Sequence, residues 1–227
     1  MSDSFVDRGC ADIFQGGGST FAVMTSVTVR AYPSLASTWY VYSYNTTADS
    51  DTYWSLATYF HSQLPTLSDK GVMGYYWAFA SLASPPAAPK STIFGVWVLP
   101  EKSADDTKEI MATMEEAISN NTFGWKDPVI LSNYSLYVPD FMSGWVQNTP
   151  ETVGVNVRLG SRLLGSKALE TDPQQLETLL KKSVANPQNA ILGNLVAGKG
   201  VKDVKIPGGS NAVVPAWRDA YVHYSKF

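Results

Sequence analysis

Cysteine and histidine are the scarcest chemically reactive side chains in this sequence of 227 residues. Cys10 is the only cysteine, so neither an intrachain disulfide nor a cysteine-based metal site can form. His61 and His223, the only two histidines, are far apart in the chain and do not have the spacing of a metal-binding motif. We therefore expect no metal site.

Charged residues are also sparse, at 16% of the chain, and the formal net charge is −3. No cluster of five or more basic residues occurs. Nucleic acids and anionic membranes attract proteins through clusters of lysine and arginine, so neither is an expected partner. The sequence also lacks a Gly-x-Ser-x-Gly motif, which argues against the nucleophile turn of a serine hydrolase.

Long hydrophobic runs are missing as well. No apolar segment approaches the roughly 18 residues that a membrane-spanning helix needs, and residues 1–5 lack the basic and apolar regions of a signal peptide. As written, the chain is expected to be cytoplasmic, whereas a longer N-terminus would make secretion the expectation. Glycosylation triplets that begin at Asn45, Asn120 and Asn133 favour the second possibility.

The composition that remains is typical of a globular protein. Hydrophobic residues make up 44% of the chain and aromatic residues 12%, which is too apolar for a disordered chain. A chain of this size buries about 70% of its unfolded surface. The sequence therefore predicts an ordered hydrophobic core.

The order of the predicted elements favours an α+β fold. The patterns predict a strand at 38–44, a helix capped by Asp51 and stopped by Pro65, strands at 72–81 and 91–99 joined by a long proline-rich loop, and a helix from Ser103 to about Ser119. This succession is most of a ferredoxin-like arrangement, in which helices cover one face of an antiparallel sheet. The other face is then open to a ligand or a partner domain.

The second half of the sequence is less regular. Residues 121–157 are rich in aromatic residues without a sustained period, so we predict an ordered loop region there. A helix capped by Asp172, with Pro173 at its first position, follows the segment Ser161-Arg162-Leu163-Leu164. Strands are predicted at 190–197 and at the C-terminus, where Tyr221 and His223 alternate.

Three segments together resemble a known family. They are the run from Asp12 to Pro33, which contains Gly16, Gly17 and Gly18, the Ser161–Leu164 segment before its helix, and Asn211-Ala212-Val213-Val214-Pro215-Ala216-Trp217-Arg218. In the first run a strand follows the glycines, the reverse of the order in a dinucleotide fingerprint or a P-loop. The three segments resemble fungal FAD-linked oxidoreductases of the berberine-bridge-enzyme-like branch of the vanillyl-alcohol oxidase superfamily. Val214 departs from the family motif, which has Asn at that position.

The resemblance implies a domain organisation and a cofactor. Residues 1–33 would be the end of an FAD-binding domain, with Gly16, Gly17 and Gly18 near the cofactor. Residues 34–210 would be the substrate-binding α+β domain of a vanillyl-alcohol-oxidase-type flavoprotein, and residues 211–227 the start of a truncated C-terminal segment. The flavin-attaching histidine and cysteine of the family have no match here, so we expect FAD by family but not bound by this chain alone.

The resemblance also implies an activity and partners. It implies a role in fungal secondary metabolism. The implied reaction is the oxidation of an aromatic, alkaloid or polyketide-type substrate, in which hydride passes to FAD. The expected partners are a small hydrophobic or aromatic molecule and a flavin domain, or a second copy of the chain in a homodimer.

The candidate site residues come mainly from the predicted strands. The strand at 72–81 places Met73, Tyr75, Trp77 and Phe79 on one face and Tyr76 on the other. Either face is a candidate substrate-binding surface, and the alternative for each is core packing. We take Tyr75 and His223 as candidate catalytic residues, and as candidate substrate-binding residues Tyr76, Trp77, Phe79, Arg162, Trp217 and Tyr221.

Two other functions remain open at the level of sequence. A flavin-independent cyclase would close rings, by a pericyclic or other route, by positioning its substrate in an aromatic pocket. A non-catalytic remnant of the oxidoreductase would retain the fold alone. The missing flavin module favours these alternatives, whereas the sequence resemblance favours the oxidoreductase.

Overall fold

The computed structural model describes residues 26, 28, 31–145, 158–184, 186, 189–205 and 211–226. The helices and strands in these ranges are β1 (Ser37–Thr47), α1 (Asp51–Asp69), β2 (Met73–Ser84), β3 (Ala87–Pro100), α2 (Ala104–Ser119), β4 (Ile130–Val138), α3 (Phe141–Trp145), β5 (Gly160–Gly165), α4 (Ser166–Glu170), α5 (Pro173–Ser183), β6 (Ala190–Leu195), α6 (Lys199–Asp203), a 3-10 helix (Pro215–Arg218) and β7 (Ala220–Lys226). None of these helices is both long and apolar enough to span a membrane.

The strands of the described ranges form a single sheet in the order β4-β1-β3-β2-β6-β7-β5. Every pair of neighbouring strands is antiparallel. In the first half, β3 lies between β1 and β2, and β1 lies between β3 and β4, as in a split β-α-β arrangement. The prediction of an α+β fold with ferredoxin-like elements is confirmed. The strand β7, which follows the expected domain boundary at residue 210, lies between β6 and β5.

One face of this sheet is covered by α1, α2 and α5. Aromatic side chains from three neighbouring strands fill the space beneath α1, where Tyr42, Tyr76 and Trp97 surround Phe60. Each of the four is at most 2% exposed. Close packing of such large rings stabilises the core by burying apolar surface, at about 25 cal/mol per Å².

Glycines make room for these rings. Across the helix-covered face, Tyr42, Gly95, Tyr76, Gly193 and Tyr224 stand opposite one another on successive strands. A Cβ atom on Gly193 would lie 2.1 Å from the Cζ atom of Tyr76. The ring of Tyr76 therefore occupies the space that any other residue at position 193 would fill.

The helix α1 differs from its prediction at both ends. Ser50, rather than Asp51, is the N-cap, and its hydroxyl accepts from the backbone N–H of Tyr53 at 3.2 Å. The helix continues past Pro65 to Asp69, so the prediction that Pro65 stops it is wrong. Pro65 and its neighbours Leu64 and Leu67 are buried, and this apolar packing offsets the missing backbone hydrogen bond.

The helix α2 has the predicted N-cap. The Ser103 hydroxyl accepts from the N–H of Asp106 at 3.1 Å, and the carboxylate of Asp106 accepts from the N–H of Ser103 at 2.9 Å, which completes a capping box. The helix α5 also begins as predicted, with Asp172 accepting from the N–H of Gln175. Both helix starts could be predicted because capping depends on residues close in sequence.

Two predicted loops are partly strand. The β2–β3 hairpin turns at Pro85 and Pro86, so the loop is shorter than predicted and β3 begins at Ala87. The predicted loop at 121–157 contains β4 and α3 in its described part. Among the described strands β4 pairs only with β1, and it is exposed along most of its length. Its sequence therefore lacks the alternation that a half-buried strand shows.

Candidate functional site

The uncovered face of the sheet carries a continuous set of side chains in register. One row crosses all seven strands and consists of Tyr134, Val41, Val96, Tyr75, Asn194, His223 and Leu163. A second row, one pleat away, contains Ser132, Ser43, Phe94, Trp77 and Leu192. We call this face the open face. It is the face without helix cover, which the sequence predicted to be open to a ligand or a partner domain.

A groove of about 670 Å³ lies on the open face over β4, β1, β3 and β2. This volume is within the range of about 300–1,000 Å³ that is usual for small-molecule sites. Large apolar and aromatic side chains form most of its surface, and the described residues that line it include one charged group, Lys90. The aromatic side chains that line the groove, which we call the main groove, are Trp39, Tyr75, Trp77, Phe94 and Tyr134.

The structure places Tyr75 and Trp77 in the main groove and Phe79 beside it. Tyr75 is 37% exposed and Phe94, on the neighbouring strand, is 36% exposed. The ring of Phe79 stacks on Phe94 with centroids 6.2 Å apart, and on Trp77 with centroids 6.1 Å apart. These three rings form a flat aromatic surface on β2 and β3 that another planar ring can stack on.

The short helix α3 closes one end of the main groove. Trp39 is only 7% exposed because α3 packs over it, with the ring of Phe141 at 6.3 Å between centroids. Its indole N–H donates to the Ser37 hydroxyl at 3.1 Å. A Cβ atom on Gly144 would lie 2.5 Å from the Trp39 ring, so a glycine is needed for this close approach.

Tyr76 points away from the main groove. Its hydroxyl hydrogen-bonds with Nε2 of His61 at 2.8 Å, and Nδ1 of His61 lies 2.7 Å from the carbonyl oxygen of Ala57. Since a carbonyl oxygen only accepts, Nδ1 donates and Nε2 accepts from Tyr76. Burial lowers the pKa of His61 to about 4, so the imidazole is neutral and structural near pH 7.

A second, smaller groove lies at the other end of the open face. It has a volume of about 420 Å³, and Arg162, Trp217 and His223 line it. The rings of Trp217 and His223 have centroids 5.6 Å apart, and Nη1 of Arg162 donates to the carbonyl of Ser161 at 3.0 Å. Two predicted site residues, Trp217 and His223, thus come together, whereas Arg162 stands opposite Tyr224, in the row of the helix-covered face.

Tyr221 lies outside both grooves. It is the extra residue where the register between β5 and β7 shifts, and its hydroxyl donates to Oδ2 of Asp69 at 3.1 Å. Nζ of Lys202 lies 3.1 Å from the centre of its ring. The remaining predicted site residues, Gly16, Gly17 and Gly18, lie outside the described residues.

The contributions of β1, β3 and β4 to the main groove were not predicted from the sequence. Trp39 and Val41 lie on the open face, whereas Tyr40 and Tyr42 point to the helices. The alternation along β1 was visible in the sequence, but both sets are apolar, so it did not reveal which set faces the helices. Tyr134 was missed because β4 itself was not predicted.

Comparison with known proteins relates the chain to flavoenzymes. No family model matches it. The sequence is 33% identical over 223 residues to an uncharacterized FAD-linked oxidoreductase of Arthroderma benhamiae, a match that covers 92% of this chain and 35% of that protein. The chain is therefore similar in sequence to proteins that are named FAD-linked oxidoreductases. An FAD-linked oxidoreductase of Aspergillus clavatus is 24% identical over 207 residues, which cover 90% of this chain and 33% of that protein.

The fold agrees with this relationship. A VAO-type flavoprotein from Myceliophthora thermophila C1 superimposes with a TM-score of 0.74 at 23% identity, over 85% of this chain and 34% of that protein. A second VAO-type flavoprotein from the same organism has a TM-score of 0.69 at 18% identity, over 95% of this chain and 38% of that protein. The predicted resemblance to this family is confirmed, and the chain spans about a third of the length of these relatives.

The main groove fits only the ring system of a flavin cofactor. The aromatic surface on β2 and β3 fits a planar ring system. A pyrophosphate requires several cations or the N-terminus of a helix, and the described lining of the main groove supplies Lys90 alone. The described lining of the main groove therefore does not fit the phosphates of FAD.

Proposed function

We propose that this chain supplies the substrate-binding sheet of an FAD-linked oxidoreductase of fungal secondary metabolism. The observation that carries the proposal is the asymmetry of the sheet: helices cover one face, and the other presents an aromatic groove. The relatives named FAD-linked oxidoreductase and the fold shared with VAO-type flavoproteins support it. In this proposal the substrate is an aromatic, alkaloid or polyketide-type molecule. The comparisons do not favour the cyclase.

The cofactor belongs to another part of the protein in this proposal. FAD would supply the redox chemistry when bound, and the residues of this chain would orient the substrate and exclude water. The sheet would then lie between its own helices and a flavin domain, with its open face toward that domain. The expected assignments of residues 1–33, 34–210 and 211–227 to three segments of such a protein are part of the same proposal.

The two candidate catalytic residues lie at different positions along the open face. Tyr75 and His223 share a row, with Asn194 between them. Because neighbouring strands are about 4.8 Å apart, their backbones are separated by about 10 Å. They would therefore contact opposite ends of an extended ligand, with Tyr75 beneath the rings and His223 in the smaller groove.

Binding of a neutral fluorescent aromatic molecule tests this function. We expect 1-pyrenebutanol to bind the protein, and Trp77→Ala to weaken binding about fivefold, because a lost ring contact costs about 1 kcal/mol. Tyr75→Ala should act in the same direction. The measurement is a fluorescence titration of the probe.

Tyr137→Ala is the matched control. Tyr137 is an exposed aromatic residue at 57%, and its register opposite Thr38 places it on the face away from the main groove. Binding should be unchanged in this variant. Weaker binding in Tyr137→Ala together with unchanged binding in Trp77→Ala would contradict the proposed site.

A further inference from the structure

The open face changes from apolar to polar along the direction of its strands. On β1 alone, the side chains on this face are Trp39, Val41, Ser43, Asn45 and Thr47. Each step of two residues advances about 6.6 Å, so the change occurs within the length of the main groove. The groove is therefore apolar at one end and offers hydrogen-bonding groups at the other.

The neighbouring strand β3 follows the same order, and β4 follows it in part. At the apolar end, Trp39 stands between Leu136 and Val98. Toward the other end, Ser43 stands between Ser132 and Phe94, and Asn45 stands between Ile130 and Thr92. The change from apolar to polar side chains is thus shared by β1 and β3, where Thr92 and Lys90 follow Phe94, whereas β4 has the exposed Ile130 at the polar end.

Lys90 lies at the polar end. It stands opposite Thr47 on β1 and opposite Leu82 on β2, and it lines the main groove. Within the described ranges no carboxylate pairs with it, although Lys181 and Lys202 both have acidic partners. Asp127 is near the same end, where one of its oxygens accepts from the Thr47 hydroxyl at 3.2 Å.

We infer that the main groove takes a planar aromatic ligand that carries an anionic group, such as a carboxylate, with the rings over Trp77 and Phe94 and the anion at Lys90. This inference rests on the proposed function and specifies the substrate class of the same site. Phe94 and Lys90 are four residues apart on β3, about 13 Å. Since the flexible side chain of lysine can shorten this distance, the ligand needs a spacer of a few bonds between ring and anion.

A pair of probes that differ only in charge tests the inference. The probes are 1-pyrenebutyrate, which carries a carboxylate on a short chain, and 1-pyrenebutanol, which is neutral. At low ionic strength we expect the protein to bind 1-pyrenebutyrate about three- to fivefold more tightly, the usual size of an exposed ion pair. In Lys90→Gln, and at high salt, the two probes should bind equally.

The matched control is a lysine on the other side of the sheet. Lys108→Gln removes an exposed lysine on α2, on the helix-covered side, and should preserve the preference for the anionic probe. Equal binding of both probes by the unmodified protein, or a preference that survives Lys90→Gln, would overturn the inference. If Trp77→Ala still weakens binding of 1-pyrenebutanol in that case, the proposed function stands without its anionic preference. Failure of both probes to bind would refute both.

Discussion

In His61→Gln, the free energy of unfolding should fall less between pH 7 and pH 5 than it does in the unmodified protein. His61 is completely buried, and its ring accepts from Tyr76 and donates to Ala57. Burial lowers the pKa of this imidazole to about 4 from the ordinary histidine value of 6.5. Between these two values the unfolded chain binds a proton that the folded chain does not.

The sign and size of the effect follow from this difference in pKa. Because the unfolded state binds more protons, the free energy of unfolding falls as the pH falls through 6.5 toward 4, and His61 causes no further change below that. With these two values, the contribution of His61 changes by about 2 kcal/mol between pH 7 and pH 5. Acidic residues also titrate near the lower pH, so only a comparison with a variant isolates the histidine.

The assay is urea unfolding followed by tryptophan fluorescence at pH 7 and at pH 5. Glutamine does not titrate, and its side chain retains a group that can accept from the Tyr76 hydroxyl. The unmodified protein should lose about 2 kcal/mol more than His61→Gln over this interval. An equal loss in both proteins would refute the reasoning, since it would mean that His61 takes up its proton without cost in the folded state.

Two further variants test the packing and the caps. Gly193→Ala should lower the free energy of unfolding by about 1–3 kcal/mol, because its Cβ would overlap the Tyr76 ring. Gly198→Ala should leave it nearly unchanged in the same urea assay, because a Cβ added there would lie more than 4 Å from the described atoms beyond its chain neighbours. Ser103→Ala should cost about 1 kcal/mol through loss of the capping box, and Ser119→Ala, at the other end of α2, should cost less. Equal effects of Gly193→Ala and Gly198→Ala would contradict the role of Gly193 in packing. Equal effects of Ser103→Ala and Ser119→Ala would contradict the role of Ser103 in capping.

Local sequence patterns predicted most of the fold. The strands β1 and β6 and the starts of α2 and α5 depend on residues that are close in sequence, such as Ser103 and Asp106. The failures depend on distant residues. The helix α1 continues through Pro65 because the helix packs on the sheet, and β4 is a strand because β1 offers it an edge to pair with.

The site was less predictable than the fold. The alternation along β2 correctly separated Tyr75, Trp77 and Phe79 from Tyr76, but apolar residues on both sides left open which face the helices would cover. The smaller groove, which Leu163, Trp217 and His223 line, depends on the pairing of β5 with β7. Neither the spacing nor the composition of these segments specifies that pairing.

The most direct test of the central claim is to locate where an aromatic ligand binds. Photolysis of 1-azidopyrene with the protein, followed by mass spectrometry of the peptides, identifies the residues that its rings contact. We predict labels in β1, β2, β3 and β4, on residues that line the main groove, and loss of those labels when excess 1-pyrenebutanol competes. Labelling confined to α1, α2 and α5, with the open face unmarked, would contradict the claim that this face is the substrate-binding surface.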